Sequence, residues 1–310
     1  MSADLGTRVS QLLGCRYPII QTAMGWVADP RLVAATGNAG GFGFLAGATI
    51  EPQRMEAAIL ETRSLTAAPF GVNFHMYQPN AGEIVELVLR HGVKAVSYSR
   101  SPGKQMIARL KEAGVICMPT VGALKHAQKA VEMGADIVTV QGGEGGGHTG
   151  AVPTSLLLPE VVDVVAGRVP VVAAGGYFDG RGLVSALAYG ASGIAMGTRF
   201  LLTSDSAVPP EVKKAYLGTP VTGTLVTTKI DGAPHRVIKT ELVEQMDSAS
   251  PITAVPKAVA NAARFRKFTG LSWYQMAKEG LSMKKRMDLP WAEVIMAGNT
   301  PILTKATLAD

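Results

Sequence analysis

Short apolar runs alternate with amphipathic segments eight times between residue 18 and about residue 201, and this alternation limits the fold more than any other feature of the chain. The runs are PIIQTA (18–23), GFGFLAG (41–47), PFGVNF (69–74), KAVSYS (94–99), VICMPTV (115–121), DIVTVQ (136–141), PVVAAGG (170–176) and the start of GIAMGTRFL (193–201). A helical pattern follows each of the first seven. The first of these, DPRLVAATGNAG, carries Asp29 as a cap and Pro30 at its opening position, where the missing N–H costs nothing. Strands that alternate with helices must pair in parallel and be covered by those helices. Eight such units predict an α/β fold, a closed (β/α)8 TIM barrel over residues 1–204. An open doubly wound sheet would want G-x-G-x-x-G after its first strand, and MGWVADP stands there instead. With 47% hydrophobic and 17% charged residues, a well-filled core is expected.

The rhythm changes after residue 204. VTGTLVTTKIDGAPHRVIKT (221–240) reads as an extended hairpin or loop around Asp231-Gly232, and PKAVANAARFRKF and LSWYQMAKEGLSMKKRM read as helices. Residues 205–310 are therefore expected to form a lid or second domain beside the barrel mouth, with a partial return to the barrel. The formal net charge of +6 resides mostly here, in Arg264, Arg266 and Lys267 and in Lys284, Lys285 and Arg286. Two readings stand side by side: a solvated helix face, or a patch for a phosphate-bearing ligand. The charge is not interleaved with stacking aromatics as nucleic-acid binding would require. No apolar run reaches about 18 residues, so no membrane span is expected, and the N-terminus lacks an apolar signal core. Cys15 and Cys117 make neither a disulfide framework nor a metal cluster; buried free thiols in a reducing cytoplasm are expected.

QGGEGGGHTG (141–150) follows the sixth strand and places six glycines around Glu144 and His148. Catalytic groups of a barrel sit at the C-terminal ends of its strands, which is where this run falls. Glycines let a flat ligand lie against the backbone, and imidazole is the side chain whose charge changes near neutral pH. His148 is thus the candidate acid–base, and Glu144 is expected to hold the loop by hydrogen bonds. Gly175-Gly176 ends strand seven and Gly197-Thr198 ends strand eight, the usual phosphate site of such barrels.

The pieces QTAMGWV, NAGGFGFLAG, PFGVNF, GGEGGGHTG and AAGGYFDGRGLVSALAYGASGIAMGTRFL span nearly the whole barrel. Together they resemble the nitronate monooxygenase (2-nitropropane dioxygenase)-like flavoproteins. The resemblance implies a TIM barrel binding FMN non-covalently. It places flavin contacts on Ala23, Met24, Gly25, Asn73 and Gln141, the phosphate on Gly175, Gly176, Gly197 and Thr198, and the catalytic role on His148. VQGGEGGGHTG followed by LLLP, with RFLLTSDS and TELVE, is most similar to a branch that breaks down steroid rings and acts on a bicyclic hydroxy-indane carboxyl-CoA. That branch makes or reduces a C=C bond next to the thioester. The basic tail would then hold CoA phosphates. The rival activities are nitronate oxidation with O2 and the enoyl-thioester reduction of fatty-acid synthesis; a barrel sensing a phosphorylated metabolite is the non-enzymatic alternative. The resemblance admits NAD(P) as electron partner, a homodimer and a cytoplasmic location. Its members continue past a segment like AGNTP with a helix that completes the barrel wall, whereas this chain stops at Asp310, so either the chain is shortened or another element covers that gap.

Overall fold

The computed structural model describes residues 5–47, 50–76, 78, 80–99, 101–165, 167–229 and 233–248. It divides into two compact units: residues 1–145 with 149–207, and residues 146–148 with 208–310.

The first unit is the expected barrel. Its strands are β1 (Ile19–Gln21), β2 (Phe42–Ala46), β3 (Gly71–His75), β4 (Ala95–Ser99), β5 (Ile116–Val121), β6 (Val138–Gln141), β8 (Val171–Ala174) and β9 (Gly193–Met196). They close in that order, with every pairing parallel, and β9 returns to β1 through Ile19↔Ile194 and Gln21↔Met196. Helices α2 (Pro30–Asn38) through α8 (Gly180–Ala188) cover the outside. Asp29 caps α2 as expected, its carboxylate accepting from the Leu32 N–H at 2.9 Å. The strands turn alternate side chains outward and inward. Val72, Phe74, Val96 and Tyr98 face out, into a core shared with Ile59, Ile84 and Val88 of the helices. Ile20, Phe42, Phe44, Ala95, Ile116, Met118, Val172, Ala174 and Ala195 face in and fill the lumen. Phe42 and Phe44 meet edge to face at 5.1 Å, and an alanine at Gly71 would overlap the Phe44 ring and come 2.9 Å from the Ala95 carbonyl oxygen. The interior is therefore solid, and each fully buried Phe, Ile or Leu there contributes about 1.5–3 kcal/mol.

Three helices among the described residues were not anticipated from the pattern: α1 (Arg8–Leu13), α10 (Pro210–Gly218) and α11 (Glu241–Asp247). α1 is capped by Thr7 and sends Val9 and Leu13, both fully buried, into the same inward cluster as Phe42 and Ile116. Cys117 is buried; Cys15, expected to be buried too, is only half so, because it lies in the turn that follows α1.

The second unit holds a three-stranded antiparallel sheet. β10 (Thr224–Thr227) pairs with β11 (His235–Ile238), the hairpin expected around Asp231-Gly232. A two-residue strand from the glycine run, β7 (Gly147–His148), joins as the third, with His148 opposite His235 and Gly147 opposite Arg236. Leu225 and Val237 pack with Val243 of α11 (Glu241–Asp247). The helices expected at 256–268 and 271–287 lie outside the described residues.

Candidate functional site

The inward rows of the barrel change character along their length. At the strand starts they are apolar. At the C-terminal ends they become Thr22, Asn73 and His75, Ser97 and Ser99, Thr120, Thr139 and Gln141, with Gly176 and Gly197 completing the ring. Polar groups at one end of an otherwise apolar lumen mark the end where a polar ligand is received. Two rungs tie β3 to β4 there. The Asn73 side-chain amide donates to the Ser97 carbonyl oxygen and hydroxyl at 3.1 and 3.2 Å. One step nearer the mouth, the Ser99 hydroxyl and His75 Nδ1 are 2.5 Å apart.

The loop after β1 carries the expected Ala23, Met24 and Gly25; the first two are half-buried and Gly25 is exposed. Trp26 follows with a left-handed backbone (φ 66°) and is 63% exposed. It is the one non-glycine residue with positive φ among the described residues, a conformation costing about 1–2 kcal/mol for a bulky side chain. Such strain persists where the surroundings hold it, and clusters at ligand-binding loops.

The glycine run has a packing reason that the sequence did not disclose. A Cβ at Gly142 would overlap the Thr154 hydroxyl and lie 2.5 Å from the Thr154 N and Cα; one at Gly145 would meet the Gln141 side chain, 2.9 Å from its Cγ and Cδ. At Gly175 (φ 99°) it would be 3.0 Å from the Gly145 nitrogen. These glycines let three backbone segments approach one another: the loop after β6, the start of α7 (Thr154–Val165) and the turn after β8. Glu144 locks the arrangement as expected. Its Oε2 accepts from the Thr154 N–H at 2.9 Å and from the Thr154 hydroxyl at 2.7 Å, placing a carboxylate at the positive end of α7. Gln141 accordingly lays its amide against Gly145.

After β8, Gly175 and Gly176 are both left-handed (φ 99° and 80°); after β9, Gly197 precedes the short α9 (Thr198–Leu201). A Cβ at Gly197 would come 3.2 Å from the Thr22 hydroxyl, so this turn abuts the loop after β1. Gly176 and Thr198 are exposed. Side-chain-free turns at the ends of two adjacent strands, one with an exposed hydroxyl, fit a phosphate monoester.

In the second unit, His148 is exposed, and its ring lies 3.7 Å (centroid to centroid) from that of His235, tilted by 49°. His235 Nδ1 is 3.3 Å from the Ala233 carbonyl oxygen. Sequence spacing gave no hint of this partnership, since 86 residues separate the two and only the sheet register aligns them. Arg264, Arg266, Lys267, Lys284, Lys285 and Arg286 lie outside the described residues. No helix of the described residues is long and apolar enough to cross a membrane.

The nitronate monooxygenase family profile matches residues 6–86 and 83–299. A Mycobacterium tuberculosis protein named (3aS,4S,5R,7aS)-5-hydroxy-7a-methyl-1-oxo-octahydro-1H-indene-4-carboxyl-CoA dehydrogenase is 53% identical over 99% of this chain and 86% of its own. A Staphylococcus saprophyticus protein named probable nitronate monooxygenase is 33% identical over 84% of this chain and 87% of its own. Among solved structures, FabK from Thermotoga maritima superposes with a TM-score of 0.76 at 35% identity, covering 84% of each chain.

Proposed function

The chain belongs to the nitronate monooxygenase family, and from that premise we infer that it is an FMN-dependent oxidoreductase that forms or reduces the C=C bond next to a CoA thioester, on a bicyclic acyl group of the hydroxy-methyl-oxo-octahydroindene type derived from steroid rings. One observation carries the substrate class. The relatives at 53% and 50% identity, each aligned over 99% of this chain, are named as dehydrogenases of that acyl-CoA, whereas a relative named for nitronate oxidation stands at 33%.

The turns at Gly175-Gly176 and Gly197-Thr198 would hold the FMN phosphate. Ala23, Met24, Gly25, Asn73 and Gln141 would hold its ring system. FMN, when bound, supplies hydride transfer at the β-carbon. The chain's own residues supply the rest. His148 moves the proton at the α-carbon as general acid or base, in a segment whose backbone is fixed by pairing with β11 and whose ring lies against His235. Glu144 keeps the loop after β6 seated on α7. The two basic clusters, 264–267 and 284–286, would meet the CoA phosphates.

Anaerobic mixing of the flavin-loaded protein with a panel of acyl-CoA thioesters and alkyl nitronates tests this. Bleaching of the flavin absorbance by cyclic acyl-CoA thioesters, and not by nitronates, is the expected outcome. Bleaching by nitronates alone would return the chain to the family's other activity, and release of FAD in place of FMN would overturn the cofactor assignment.

A further inference from the structure

Trp26 joins two features that oppose one another. Its backbone is left-handed (φ 66°), a region that glycine enters freely and a bulky side chain does not, and its indole is 63% exposed. An exposed side chain gains little burial to offset that strain, so the surroundings must hold it. They do so from both sides. The Met24 carbonyl oxygen accepts from the Val27 N–H at 3.1 Å and from the Ala28 N–H at 2.9 Å, closing a turn with Trp26 inside it. Val27 and Ala28 are buried, the Ala28 carbonyl oxygen accepts from the Ala46 N–H of β2 at 3.1 Å, and Asp29 caps α2 directly after. At its start the same loop abuts the turn after β9: a Cβ at Gly197 would lie 3.2 Å from the Thr22 hydroxyl and 3.5 Å from Met24 Sδ. A firmly held turn at the receiving end of the lumen therefore presents an indole to solvent.

We propose that Trp26 is a specificity-determining residue whose indole packs against the apolar bicyclic skeleton of the acyl group. This rests on the acyl-CoA reading above. The ring of side chains at the strand ends, from Thr22 round to Gln141, is polar, which suits a flavin and a thioester but not a saturated bicycle. Among the described residues, the large apolar side chains exposed in loops that leave the C-terminal ends of the barrel strands are Trp26, Val152 and Phe178. Phe178 borders a groove on the helix side of β1 and β9, lined also by Ile19, Leu183 and Ile194. Val152 is 36% exposed and offers far less area than an indole. The indole is broad, flat and rigid, so it can cover a ring system with little loss of conformational freedom.

The test compares Trp26→Gly and Trp26→Phe with the wild type in the flavin-loaded protein. Glycine keeps the left-handed backbone and removes the indole; phenylalanine keeps most of the apolar face. Two thioesters read the effect. A saturated bicyclic carboxyl-CoA is followed through its KM with an artificial electron acceptor. Acetyl-CoA, which has no β-carbon and so acts only as an inhibitor, is followed through its inhibition constant. Trp26→Gly should raise the KM for the bicyclic thioester about 10- to 30-fold, the worth of covering about 60–80 Å² of indole at about 25 cal/mol per Å². The inhibition constant of acetyl-CoA and the flavin content should match the wild type. Trp26→Phe should stay within about threefold of the wild-type KM. Trp26→Asn, which also tolerates the backbone, carries the test if Trp26→Gly is unstable. An unchanged KM without the indole, an equal loss for both thioesters, or a loss of flavin overturns the proposal, the last two by assigning the indole to CoA or to the cofactor. A wild-type protein that turns over no acyl-CoA thioester would instead sink the function on which it rests.

Discussion

Replacing Gly142 by alanine separates two accounts of the glycine run. If the glycines were there only to admit a ligand, any one methyl group would cost little stability. The structure predicts a steep gradient instead. At Gly142 the new Cβ would lie 2.5 Å from two backbone atoms of Thr154 and overlap its hydroxyl. Thr154 opens α7, whose Leu157, Leu158, Val161 and Val165 are buried, so the helix cannot retreat without opening the core. Overpacking costs about 1–3 kcal/mol, and the shift also breaks at least one of the two hydrogen bonds to the Glu144 carboxylate, about 1.5–3 kcal/mol more, for a total of about 3–5 kcal/mol. Gly145→Ala meets a side chain that can swing aside and should cost about 1–2 kcal/mol. Gly147→Ala meets nothing within 4 Å, so only its left-handed backbone (φ 69°) counts, at about 1 kcal/mol. Denaturant midpoints of the three variants, with flavin content measured on the same samples, give the order. Equal small losses at all three positions would refute the packing account.

His148→Ala should leave flavin bound and slow turnover by about 100- to 10,000-fold, the range for a lost general acid–base; unchanged turnover on an accepted acyl-CoA would strip His148 of that role. Stability should decline in alkali. Burial pushes the Cys117 thiol up to about 12 from an ordinary 9.0, so the unfolded chain releases this proton first. The contribution is complete below pH 9 and is lost as pH rises toward 12. Cys117→Ser should flatten that part of the alkaline unfolding curve, and a thiol that alkylates readily in the native protein at pH 8 would contradict the burial. Charge reversal at Arg266 and Lys285 should raise the apparent KM for a CoA thioester and weaken its salt dependence; identical affinities for CoA in wild type and double variant at low salt would leave those residues as a solvated face.

The barrel was legible because its signal is periodic and local. Each strand is a short apolar run bounded by breakers, and Asp29-Pro30 announces a helix start that the fold contains. What escaped notice depends on long-range register. β7 is two residues long inside a run of glycines, and nothing near it in the chain announces His235 as its partner. His75 was visible as a lone histidine at the end of GVNFH, but its inward orientation follows only once Val72 and Phe74 are seen to face the helices. The glycines illustrate the same limit: their abundance was plain, while the close approach of Gly142 to Thr154 and of Gly175 to Gly145 belongs to the folded loops. Helix α1 is too short to show a period, and is fixed by Thr7 and by the lumen that Val9 and Leu13 enter.

The central claim, oxidoreduction at the carbons next to a CoA thioester, is tested most directly by mass. The flavin-loaded protein is incubated with a saturated bicyclic carboxyl-CoA and an artificial electron acceptor, and the acyl group is weighed by mass spectrometry. The account predicts the loss of two hydrogens from the acyl group, with flavin bleaching when the acceptor is withheld. An acyl group recovered unchanged under conditions in which the same protein oxidises an alkyl nitronate would contradict it.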